Sequence, residues 1–70
     1  MEIKNEDHAR EMLKEWRKLP EPARKRHVKT AIAKLELSSM YYEQKGNENG
    51  AARAEKCILI LTEHLAELAD

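Results

Sequence analysis

From Asn47 to Ala69 the chain reads NENGAARAEKCILILTEHLAELA. Ala51, Ala54, Ile58, Leu61, Leu65 and Leu68 recur there at alternating steps of three and four, so they line one stripe of an α-helix. A stripe that apolar has to be covered, and the search for its cover organises the rest of the reading.

The nearest cover lies just upstream. After Pro22 no Gly or Pro interrupts the chain until Gly46, which predicts a long helix over about residues 20–45. Pro20 and Pro22 both fit the first turn of a helix, where the backbone N–H groups have no intrahelical acceptor. Val28, Ala31, Ile32, Leu35, Ser39 and Tyr42 form one stripe of this helix. Ala33, Leu37, Met40 and Tyr41 lie roughly opposite. The segment Gly46-Asn47-Glu48-Asn49-Gly50 is too short for anything but a hairpin. Gly46 suits the left-handed position that closes a helix, and Asn47 or Asn49 can cap the next. The two helices then run antiparallel, with Ala51 expected against Tyr42, Ile58 against Leu35 and Leu65 against Val28. In helix 3, Cys57 and His64 flank the seam, and Ile60 is expected to point away from it.

A first helix is predicted over about residues 6–19. Asn5 is its N-cap, Glu6 and Asp7 its acidic first turn, and Ala9, Met12, Leu13, Trp16 and Leu19 its stripe. The expected fold is all-α: one domain over residues 1–70, a three-helix bundle built on a long antiparallel hairpin, with helices at about 6–19, 20–45 and 48–69. Helix 1 spans roughly 21 Å and helix 2 roughly 39 Å at about 1.5 Å per residue. A helix 1 folded back from Pro20 runs out near Lys34 to Leu37. Met40 and Tyr41 lie beyond that reach unless Ile3 and the N-terminal segment cover them. Neighbouring apolar residues left bare favour a partner chain. Self-association as a two-fold homodimer is therefore expected, through Leu37, Met40, Tyr41 and Ile60.

Ser39, Tyr42, Gly46 and Ala51 are similar in spacing to one tetratricopeptide helical hairpin, over about half of the chain. The likeness departs at Glu55 and Ile58, where that family carries an aromatic residue and an alanine. No second repeat is visible, and the chain is not assigned to the family.

The function classes are narrowed by what is missing. Cys57 is the only cysteine, so no intramolecular disulfide can form. His8, His27, His64 and Cys57 make no pair at metal-ligand spacing. No Gly-rich phosphate loop or nucleophile elbow occurs, and Glu36 and Glu43 read as a solvated helix side. No enzyme activity, cofactor or metal is expected. The start, MEIKNEDHAR, has no apolar core of a signal peptide, and the longest apolar run, Cys57 to Leu61, is too short to span a bilayer. The reading is a soluble cytoplasmic protein with no membrane partner.

Charge is the remaining signal. The chain has 13 basic and 13 acidic residues, for a formal net charge of zero. They are unevenly spread. Arg10, Lys14, Arg17, Lys18, Arg24, Lys25, Arg26, Lys29 and Lys34 outnumber Glu11, Glu15 and Glu21 across the helix 1–helix 2 corner. Cations in the second turn of a helix are mildly unfavourable, by a few tenths of a kcal/mol each. Arg24, Lys25, Arg26 and Lys29 are accordingly the candidate contacts to an acidic partner. The competing expectation is that Glu63, Glu67 and Asp70 of helix 3 simply neutralise them. The expected function is a small non-enzymatic protein-interaction module, an adaptor or regulator that binds another protein. The alternative is a nucleic-acid-binding protein that uses the basic corner, with Trp16 stacking on a base. A salt titration against unspecific duplex separates the two, because phosphate contacts weaken steeply with salt.

Overall fold

The computed structural model describes residues 3–68. They form three α-helices: α1 (Glu6–Trp16), α2 (Glu21–Gln44) and α3 (Glu48–Leu68). The expected end of helix 3 at Ala69 lies outside the described residues. α2 and α3 make the closest pairing, and α1 packs chiefly on α3 with a lighter contact to α2.

The turn between α2 and α3 is specified by its own hydrogen bonds. Gly46 sits at φ 74°, in the left-handed region. Its N–H donates to the Glu43 carbonyl at 3.1 Å, and the Asn47 N–H donates to the Tyr42 carbonyl at 2.8 Å. This double closure is the Schellman motif, and it satisfies the carbonyls that the end of α2 leaves unpaired. Asn47 then caps α3, its side-chain oxygen accepting from the Gly50 N–H at 2.9 Å. Gly50, next to Ala51, makes a tight meeting with Tyr42. A Cβ at Gly50 would stand 2.8 Å from two Tyr42 ring carbons, so only glycine lets the ring lie there.

Along the hairpin, Val28, Leu61 and Cys57 are the largest side chains wholly removed from solvent. Leu35, Ser39, Ala54 and His64 are buried beside them. Ile58 and Leu65, expected at the centre of the seam, are half-buried at its edge. The seam is rotated toward Cys57 and His64, and Ala9 and Leu13 of α1 share one buried core with Cys57 and Leu61. The Ser39 hydroxyl donates to the Glu55 carboxylate at 2.8 Å across the hairpin and pins its register.

α1 is shorter than its apolar spacing suggests. Asn5 caps it as expected, accepting from the His8 N–H at 2.8 Å. The helix ends at Trp16, three residues before the expected Leu19. Leu19 precedes Pro20, whose ring disfavours helical geometry in the residue before it. Leu19 instead closes a turn, its N–H donating to the Trp16 carbonyl at 3.0 Å. Pro20 lies outside α2 as its N-cap, and Lys45 closes the other end. Ile3 is buried, as a covering N-terminal segment would require. It borders Leu35, Ser38 and Cys57, however, and not Met40 or Tyr41.

Candidate interaction surface

The four cations singled out in α2 do not form one unit. Arg24 is half-buried and its Nη2 donates to the Leu19 carbonyl at 3.2 Å, tying the α1–α2 corner together. Its Nε is buried without a hydrogen-bond partner among the described residues. Lys25 lies 3.7 Å from Glu21, one helical turn back, with its side chain only 29% exposed. Arg26 and Lys29 are exposed and make no ion pair among the described residues. The expected neutralisation by α3 is not seen there either. Glu67 instead stands 3.8 Å from His64 Nδ1, and Asp70 lies outside the described residues. Arg24 is thus committed to the corner and Lys25 to a pair within α2, while Arg26 and Lys29 make neither contact.

The four self-association residues also divide. Leu37, Met40 and Tyr41 are 68%, 56% and 57% exposed on the outer side of α2, with Met40 at the edge nearer α3. Ile60 is different: it is half-buried and packs against the core. The expectation that it points away from the bundle is corrected: it packs against the core to which α1 contributes Ala9 and Leu13. The exposed large residue of α3 is its neighbour Leu59, 57% exposed. Met40 shares a shallow groove with Ile58, rimmed by Glu36, Glu43 and Glu55. Tyr41 is held outward, edge-on to Tyr42 with ring centroids 5.9 Å apart and with Lys45 Nζ 5.7 Å from its ring centre.

A feature that the sequence did not single out lies between α1 and α2. Because α1 leans on α3, a groove of about 430 Å³ opens along α2. Trp16, Ile3 and Ala31 give it apolar walls, with His27 beside Trp16 and with Arg26, Thr30 and Lys34 along α2. The Trp16 and His27 rings are stacked, 5.5 Å between centroids at 24°. That stack occupies one face of Trp16. Only the placement of α1 reveals this groove, since its walls come from three separate stretches of sequence.

Cys57 and His64 are buried, and among the described residues no group of three or more His, Cys, Asp or Glu side chains converges as metal ligands. Burial is the main influence on the Cys57 thiol and pushes its pKa above the ordinary value. The Glu6 carboxylate pushes the same way, while Arg53 and Arg10 pull it down. Such a thiol is a poor nucleophile. No described helix is long and apolar enough to cross a membrane.

No family model matches the chain, and neither a curated protein nor a solved structure matches it.

Proposed function

We propose that the protein is a small non-enzymatic helical interaction module, an adaptor or regulator of the cytoplasm that acts by binding another protein and is itself a homodimer. The observation that supports this most is the bare outer side of α2. Leu37, Met40 and Tyr41 are each more than half exposed on one helix side that neither α1 nor the N-terminal segment covers. A contiguous apolar patch on a small domain marks a binding surface more often than it serves the fold. Arg26 and Lys29, exposed and without an ion pair among the described residues, add positive charge toward the other end of the same helix.

The test separates the partner from the fold. The tagged protein is used to capture its partner from the native host, beside a variant with Arg26→Glu and Lys29→Glu. Arg24 is left intact because its reversal would disrupt the corner at Leu19. Loss of the captured partner, with an unchanged melting temperature of the dilute, monomeric chain, is the expected result. Capture indifferent to both reversals would make the two cations a solvated face and remove them from the interface.

A further inference from the structure

The outer side of α2 has an internal order. Arg26, Thr30, Ala33, Leu37, Met40 and Gln44 follow one another at alternating steps of four and three and form its crest. His27, Lys34 and Tyr41 recur every seven residues along one flank. This is the α1 side, because His27 stacks on Trp16. Lys29, Glu36 and Glu43 recur every seven residues along the other flank. The first half of this surface is basic, with Arg26, Lys29 and Lys34, and carries the groove beside Trp16. The second half has Glu36 and Glu43 and carries the bare Leu37, Met40 and Tyr41. One helix therefore bears a socket at its basic end and a plug at the other, where Glu36 and Glu43 outweigh the single cation Lys45, 5.7 Å from the Tyr41 ring centre.

We propose that two copies pair through the outer sides of α2, antiparallel about a two-fold axis, so that Tyr41 of each copy enters the groove beside Trp16, His27 and Ala31 of the other. This rests on the self-association in the reading above and deepens it by naming the surface and its direction. Charge fixes the direction: a parallel pairing sets basic half on basic half, and an antiparallel one sets basic on acidic. Size fixes the register. With Ala33 opposite Leu37 of the second copy, a small residue faces a large one twice, and Thr30 faces Met40.

A two-fold axis between antiparallel helices keeps each flank on its own side. Tyr41 of the second copy therefore arrives on the α1 side, within about one helical turn of His27 and Ala31, where the groove lies. On the other flank Lys29 meets Glu43 of the second copy. Near the axis Glu36 meets its own equivalent on this flank and Lys34 meets its own on the α1 side, two repulsions that the register imposes.

The experiment measures the dimer dissociation constant by serial dilution of the full chain, followed by Trp16 fluorescence and by sedimentation. Lys29→Glu alone and Glu43→Lys alone each weaken the dimer, by about tenfold for two exposed pairs turned repulsive. The two together restore it. Glu36→Gln tightens it by about twofold to threefold. Tyr41→Ala weakens it and abolishes the change in Trp16 emission on dilution. Its exposed side chain keeps the monomer's melt unchanged. A dimer that ignores both reversals, or that the double variant fails to restore, overturns this pairing and leaves self-association standing. A wild-type chain that stays monomeric overturns both. Species that grow without limit with concentration overturn the closed two-fold arrangement.

Discussion

At the scale of single residues, Gly50 tests how tightly the hairpin closes. Alanine favours a helix over glycine by about 1 kcal/mol, yet its Cβ would press on the Tyr42 ring at 2.8 Å. The steric term wins: Gly50→Ala should destabilise the fold by about 1–2 kcal/mol, seen as a lower midpoint in urea unfolding. Adding Tyr42→Leu should recover part of the loss. Gly46 gives the opposite case, since nothing lies within 4 Å of its Cβ position and only its φ of 74° resists a side chain. Cys57 links the fold to pH. Its thiol holds its proton above the ordinary pKa of 9.0, chiefly through burial. The unfolded chain ionises first as pH rises, so this contribution is whole below pH 9.0 and is lost as pH climbs through the raised folded value. The stability advantage of the wild type over Cys57→Ala should thus be smaller at pH 10 than at pH 7. An equal advantage at both would contradict it.

At the scale of elements, the hairpin is the part most legible in the sequence. The Gly46 bend and the Asn5 and Asn47 caps are local signals, and each is found where local chemistry puts it; the stripe of helix 3 is also helical, but its buried line is turned toward Cys57 and His64. Leu61 is wholly buried at the centre of the seam, so Leu61→Ala should cost about 2–5 kcal/mol, measured by thermal or urea unfolding. α1 was less legible. Leu19 keeps helical spacing with Trp16, but the proline after it ends the helix early. Spacing alone also could not say on which neighbour α1 leans, and three features go with that choice. Ile60 packs against the core, the seam is turned toward Cys57 and His64, and the groove lies along His27 and Ala31. The four cations shared the same fate. Their sequence cluster was plain, while the commitment of Arg24 to the Leu19 carbonyl depends on the path of the corner. Arg24→Ala should therefore raise amide hydrogen exchange in α1 while exchange in α2 and α3 stays close to wild type. Uniform loosening of all three helices would contradict that division.

At the scale of the whole molecule, the balance is between two long helices and one short one. α2 has 24 residues and α1 has 11, so α1 cannot cover the outer length of α2 however it is placed. Folding leaves the described residues in a body of 39 × 20 × 18 Å, with Leu37, Met40 and Tyr41 bare along one side. A chain of this size has a small core, and a second copy would supply apolar burial that one copy lacks. Such a dimer gains stability with concentration, because association acts on the folded state alone. The melting temperature should then rise as the protein is concentrated, and Tyr41→Ala should flatten that dependence. The measurement that bears most directly on this account is sedimentation equilibrium of the unmodified chain across the micromolar range. A mass rising from 8.1 kDa toward about twice that value and levelling there is the predicted result. A constant 8.1 kDa at every concentration, with a cooperative melt, would contradict it.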